Sequence, residues 1–447
     1  MNYAESLKYL FSLGRELAAP TQAAAGKFDL ENISTLAEAL GHPEKKYQSI
    51  HIAGTNGKGS TAAFTESVLR TAGFRTGLYT SPHLERINER IRVNGEEIAD
   101  EEFAETFTKT RELIEALLAQ GELRAHPTFF EVVTAIAFEH FAKKSVEIAV
   151  FEVGLGGRLD ATNILTPDVT VITRVDFDHE SFLGHALAEI AGEKAGIIKQ
   201  GVPLVLAGQR EEARRAILNR ARELRAPVFE TEEEFRAERV AFENGSVRAD
   251  VAEVKNGVEF RVAPSLRGRF QLGNAINAIA VARILNQRAE RISDSAIQRG
   301  IAKTVWPGRM EKLQSHPDVY LDGAHNPSAA RELADFLDES FAGRRVTLLF
   351  AAMRDKAVDE IAGILFPRAS EVVFTQPKNS RAISAAQLAE MAGEYAARFH
   401  VIPDAGTAMD EALASARPQD AIFITGSLYL VGELRHHWKT RSQVVNG

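Results

Sequence analysis

The stretch HIAGTNGKGS, residues 51–60, joins an apolar run to a loop holding three glycines, one lysine and a terminal serine. The common phosphate-binding loop reads G-x-x-x-x-G-K-[ST], with the hydroxyl directly after the lysine. Here the loop is shorter, and Gly59 stands between Lys58 and Ser60. Glycines let backbone N–H groups approach an anion closely, and the start of a helix adds a positive field. On that reading Lys58 neutralises phosphate while Ser60 or Thr61 supplies hydroxyl contacts. The alternative is a plain glycine-rich strand-to-helix turn with an exposed lysine.

The surroundings place this loop in an α/β pattern. Val- and Ile-rich runs without polar alternation occur at 49–53, 76–80, 146–153, 168–175 and 202–207. Helix-like stretches lie between them, such as 61–72 and 129–141. Such runs predict a mostly parallel sheet covered on both faces. Residues 228–263 carry more charge, with turn signals at Asn244-Gly245 and Asn256-Gly257, and predict a small antiparallel hairpin or meander. A helix is expected from Gly273 to about Gln287.

Proline and glycine interrupt the pattern in TVWPGRM (304–310), after which strands are expected at 319–322, 346–353, 371–376 and 420–426. We therefore expect an N-terminal ATP-binding unit over 1–300, a linker at 301–308 and a smaller Rossmann-like α/β unit over 309–447. The N-terminal unit is the one with the phosphate loop, the mostly parallel sheet and the antiparallel subsection. Two such halves with a bend between them frame a ligand cleft.

Composition bounds the function. The 447 residues carry a formal net charge of −8, which speaks against a general nucleic-acid binder. There are no cysteines, so disulfides, thiolate zinc sites and cysteine nucleophiles are excluded. Residues 1–19 read as an amphipathic helix rather than a signal peptide, and no apolar run reaches the roughly 20 residues of a membrane span. A soluble, cytoplasmic protein with no membrane partner is expected. No G-x-S-x-G elbow and no H-E-x-x-H pattern is present, so hydrolase readings have little support.

Four further segments carry chemistry. In YTSPHLERINERIRVNGEEI (79–98), Ser81 and His83 either face a ligand or only end a strand. In FEVGLGGRLDATN (151–163), Glu152 lies in a run that should be buried, so it is paired, protonated or bound to a metal. Beside a triphosphate the natural metal is Mg²⁺; the alternative is an ion pair with Arg158 or Arg174. In DFDHESFLGHALAEIAGEKAGIIK (176–199), His179 is a metal ligand or a helix cap, and Lys194 reads by itself as a solvated lysine or a partner of Glu193. In LDGAHNP (321–327), Asp322 sits at a strand end, where it can bond ribose or cap a turn. Arg309, at the bend, reaches a phosphate or pins the two halves together.

Taken in order, these motifs resemble the folylpolyglutamate synthase/dihydrofolate synthase family, within the ADP-forming amide ligases that include the Mur ligases. The resemblance covers nearly the whole chain. It implies an enzyme that couples ATP hydrolysis to adding L-glutamate to dihydropteroate or a reduced folate through an acyl phosphate, acting as a monomer. ATP would be held by Gly54, Thr55, Asn56, Gly57, Lys58, Gly59, Ser60 and Thr61, together with Asn274, Arg309, Asp322 and His325. Ser81, Glu152 and His179 would hold Mg²⁺, and Lys194 would be carbamylated. Lys58, Lys194 and His179 would be catalytic. The pterin would lie near Phe28–Ser34 (Glu31, Asn32, Ile33 and Ser34 in particular), with Ser81, His83, Thr128, Phe129, Phe130, Glu131, Leu159, Asp160 and Ala161. Competing expectations are a Mur-type ligase with another carboxylate, a P-loop kinase or NTPase, and a silent binding protein.

Overall fold

In the computed structural model the described residues are 1–13 and 29–445. Phe28 and residues 14–19 of the expected N-terminal helix lie outside them. Three sheets organise the chain. The largest has eight strands: β1 (Gln48–Ala53), β2 (Thr76–Tyr79), β3 (Ile91–Val93), β4 (Glu96–Glu97), β5 (Ile148–Glu152), β6 (Val169–Ile172), β7 (Leu204–Leu206) and β8 (Val228–Glu230). Their spatial order is β4-β3-β2-β5-β1-β6-β7-β8. β1 and β5 are central, parallel and almost wholly buried, as continuous apolar strands must be when helices cover both faces.

Three strands form a separate antiparallel meander: β9 (Phe235–Glu243), β10 (Ser246–Glu253) and β11 (Glu259–Val262). The third sheet uses β12 (Glu311–Gln314), β13 (Asp318–Leu321), β14 (Val346–Phe350), β15 (Glu371–Gln376), β16 (Phe399–Asp404) and β17 (Ala421–Thr425), in the order β12-β13-β17-β14-β15-β16. All its pairs are parallel except β12–β13.

The α/β expectation with a mostly parallel sheet and a small antiparallel section is borne out, with local corrections. Val228–Glu230 is not part of the meander; it pairs parallel with β7 at the edge of the large sheet. The antiparallel edge β3–β4 was not foreseen, because its strands are only three and two residues long. The phosphate-loop helix spans Lys58–Thr71 rather than starting at Thr61, and the later helix spans Phe270–Ala289 rather than starting at Gly273. A further helix, Asp294–Lys303, occupies the first part of the segment expected as a linker.

One core cluster lies under the helices at 58–71, 270–289 and 294–303, joining Ile50, Phe64, Val68, Ile279 and Ile297. The opposite face of the large sheet packs on Phe103, Phe107, Val133 and Phe138. Among the described residues no helix is long and apolar enough to cross a membrane.

Candidate active site

The parallel strands end on one side, and that side opens into a cleft of about 480 Å³. β1 runs out at Ala53 into the loop Gly54–Gly57, β5 ends on Glu152, and β2 ends two residues before Ser81. Past β13 comes Asp322, past β14 come Met353 and Lys356, and past β17 comes Ser427, all on the cleft wall.

The loop geometry explains its glycines. A Cβ on Gly54, at φ +150°, would lie 1.8 Å from Thr173 Oγ1; on Gly57, at φ +84°, 2.3 Å from Asn274 Oδ1. The loop is tied to the strand beside it: Thr55 N donates to Arg174 O at 2.9 Å, and Thr173 Oγ1 donates to Asn56 O at 2.8 Å. Lys58, the first helical residue, folds back to donate through Nζ to Gly54 O at 3.1 Å and Thr55 O at 3.2 Å. Burial lowers its pKa, while Glu152 and Asp178 favour its charged form.

Lys194 enters from the helix Leu187–Ala195. It is buried, and its Nζ donates to the same Gly54 carbonyl at 3.0 Å. Desolvation, with the neighbouring Lys58 charge, lowers its pKa from 10.5 to about 7. It does not pair with Glu193, whose carboxylate takes Arg158 at 2.9 Å. Glu152 is 5% exposed and accepts the Ser81 N–H at 3.2 Å. Burial raises its pKa against the pull of Lys58.

The two halves meet at Asp178. Its carboxylate receives Lys356 Nζ at 2.7 Å and Asn326 Nδ2 at 3.1 Å, with His325 Nε2 at 3.6 Å. Burial disfavours the charge, but these partners outweigh it and hold the pKa well below the ordinary value. His179, beside it, is held neutral: burial brings its pKa down to about 4. Asn326 also bonds Asn56 in the phosphate loop, at 3.0 Å.

Of the expected site residues, the cleft wall takes Gly54 to Ser60, Ser81, Thr128, Phe130, Glu131, Glu152, Leu159, Asp160, Ala161, His179, Lys194, Asn274, Arg309, Asp322 and His325. The others stand off it. Thr61 is buried in the helix behind the loop. His83 accepts Arg90 Nε at 2.8 Å through Nδ1, which with burial puts its pKa near 3. Phe129 belongs to the core. Glu31, Asn32, Ile33 and Ser34 lie on the helix Glu31–Ala39; Glu31 pairs with Arg124 at 2.8 Å and Ile33 is fully buried. From that segment the wall takes Asp29.

Glu131 and Asp322 are already engaged by the protein. Glu131 accepts Thr128 N at 2.7 Å as a capping box. Asp322 accepts Met310 N and Ala324 N, each at 2.9 Å. Lys356, Arg381, Tyr429 and Glu332 also line the cleft but were missed. The signal for Lys356 was present, since Arg354-Asp355-Lys356 follows a buried strand just as Asp178 does.

The donor set would suit a divalent cation. Glu152 is a buried carboxylate facing the cleft, Ser81 contributes a hydroxyl, and His179 Nδ1 is buried without a hydrogen-bond partner. Among the described residues no cluster of three His, Asp or Glu forms a metal cage of its own.

The chain matches the model of the Mur ligase middle domain over residues 52–282 and that of the Mur ligase glutamate ligase domain over residues 308–428. It is 38% identical to a dihydrofolate synthase/folylpolyglutamate synthase of Bacillus subtilis, covering 92% of this chain and 95% of that one. Its fold superposes on a Mycobacterium tuberculosis folylpolyglutamate synthase complexed with ADP, with a TM-score of 0.88, 32% identity and 98% of each chain covered. It also matches an Escherichia coli protein, FolC, in complex with DHPP and ADP, with a TM-score of 0.85, 28% identity and 99% of each chain covered.

Proposed function

This chain belongs to the dihydrofolate synthase/folylpolyglutamate synthase family of Mur-type ligases, and we propose that it joins L-glutamate to dihydropteroate or a reduced folate, converting ATP to ADP and phosphate. The observation that carries this reading is the convergence of Lys58, Lys194 and Glu152 on a glycine loop at the carboxyl ends of parallel strands, facing a second sheet across one cleft.

A carboxylate resists attack by an amine because it is negatively charged and oxide is a poor leaving group. When a carboxylate oxygen attacks the γ-phosphorus, the P–O bond to ADP breaks and an acyl phosphate forms. The glutamate amine then adds to its carbonyl carbon, loses a proton, and phosphate departs. The first step brings two anions together, so positive charge and N–H donors must be in place beforehand. Here the loop amides and Lys58 meet the phosphates, with Arg309 on the facing wall. Mg²⁺, held by Ser81, Glu152 and His179, would supply further charge neutralisation. Water competes for an acyl phosphate, so closure of the cleft through Asp178, Lys356 and Asn326 protects it.

Lys194 is buried, and its lowered pKa leaves a large neutral fraction at pH 7–8. A neutral amine adds CO₂ and releases a proton, leaving a carbamate. In this reading Lys194 is carbamylated, which puts an anion beside Lys58 in place of an amine. In this reading the pterin end lies at Thr128, Phe130, Glu131 and Leu159–Ala161, the nucleotide end at Asn274, Arg309 and Asp322. A monomeric cytoplasmic enzyme, with the halves meeting near 301–308, completes the proposal.

The test is ADP release with glutamate plus dihydropteroate, then with tetrahydrofolate, then with each component omitted. We expect release to require both the pterin and glutamate. Release indifferent to either one would defeat the proposal.

A further inference from the structure

The loop at the pterin end is organised by one carboxylate. Asp160 Oδ2 accepts the N–H groups of Gly154 at 2.9 Å and Leu155 at 3.0 Å, while Oδ1 accepts Thr162 N at 3.0 Å and Thr162 Oγ1 at 2.5 Å. Gly154, Leu155 and Asp160 all line the cleft, so this carboxylate shapes the wall as well as facing it.

Behind it stands a group the proposed reaction does not use. His51 lies on β1, fully buried, in register with Phe151 on β5 and Thr170 on β6. Its Nε2 is 2.8 Å from Thr162 Oγ1. The Thr162 proton points to Asp160, so the hydroxyl oxygen accepts and His51 Nε2–H donates. Nδ1 is then a bare acceptor with no partner in the core. A buried imidazole that leaves one nitrogen unsatisfied is a costly way to fill a strand position, which an apolar side chain would fill better.

We propose that His51 and Thr162 are positioning residues, a buried relay from His51 through Thr162 to Asp160 that aims the carboxylate and thereby sets how the cleft holds the pterin end of its substrate. The assignment rests on the proposed folate reading. His51 itself stays neutral, because burial and the charge of Lys199 bring its pKa down to about 3.

Four variants test it. Thr162→Val removes the middle hydroxyl, and His51→Met removes the donor. Thr162→Ser keeps the hydroxyl, and His51→Gln carries an amide donor where Nε2 stands. Hydrogen exchange reads the relay without any substrate: Thr162→Val and His51→Met should speed exchange at the Gly154 and Leu155 amides by about tenfold, with Thr162→Ser and His51→Gln near wild type. Steady-state kinetics read the consequence: the two disruptive variants should raise KM for dihydropteroate about tenfold, with KM for ATP within about twofold of wild type.

Unchanged exchange in Thr162→Val overturns the relay. Faster exchange with equal changes in both KM values, or in neither, overturns the positioning role and leaves a structural one. If wild-type turnover does not depend on dihydropteroate, the folate reading falls instead, and the exchange rates still decide the relay.

Discussion

Lys58 and Lys194 meet at one oxygen: both ammonium groups donate to the Gly54 carbonyl, at 3.1 and 3.0 Å. Burial of Lys194 disfavours its charge and the Lys58 ammonium beside it adds repulsion, so its pKa is brought from 10.5 to about 7. Protonation is therefore disfavoured in the fold relative to the unfolded chain. Between those two values the unfolded chain binds more protons, so stability rises with pH from about 7 toward 10.5 and is flat below 7. Denaturant unfolding of Lys194→Met should lose that rise. Lys194→Ala should also lower turnover, and acetate or formate should restore part of it if a carbamate is the working form.

Lys58 is the other member of the pair, and its Nζ donates into the glycine loop proposed to hold the phosphates. Lys58→Ala should lower kcat by a factor on the order of 10²–10³ or more, with the circular dichroism spectrum unchanged. Near-normal turnover would remove the phosphate-loop assignment.

The seam between the two halves depends on Asp178 and Lys356, 2.7 Å apart and with side chains 10% and 8% exposed. Removing one partner leaves a buried charge, so Lys356→Met should destabilise by about 3 kcal/mol, measured by chemical denaturation. Asp178 has a depressed pKa, so its contribution is full above the ordinary 3.8 and is lost as pH falls below it. In Lys356→Met the native-state pKa of Asp178 rises toward 3.8, so this acid-side loss should be smaller and end at higher pH.

Gly57 carries φ +84° at the start of the loop helix, against the Asn274 amide. Gly57→Ala should cost about 1–2 kcal/mol from the left-handed backbone alone. It also displaces Asn274, which Gln271 holds at 3.0 Å, so KM for ATP should rise more than KM for glutamate.

Much of this architecture was legible because it follows local rules. An apolar run, a glycine loop and a lysine predict a phosphate site without knowledge of the rest of the chain, and the strand ends carrying Ser81, Glu152 and Asp322 repeat the same logic. What was not legible is pairing across the cleft. Nothing near Lys356 names Asp178 as its partner, which lies 178 residues earlier. Buried lysines are uncommon, so Lys194 read by itself as a surface residue; only the fold places it under Gly54. The short strands β3 and β4 carry too few residues for a period-two pattern.

The central claim is that a carboxylate is activated by phosphoryl transfer before the amine attacks. Dihydropteroate labelled with oxygen-18 in its carboxylate tests it directly, with the released phosphate read by mass spectrometry after turnover with ATP and glutamate. The account predicts one labelled oxygen in each phosphate, because the bridging oxygen leaves with phosphorus. Phosphate free of the label, formed in step with the amide product, would contradict it.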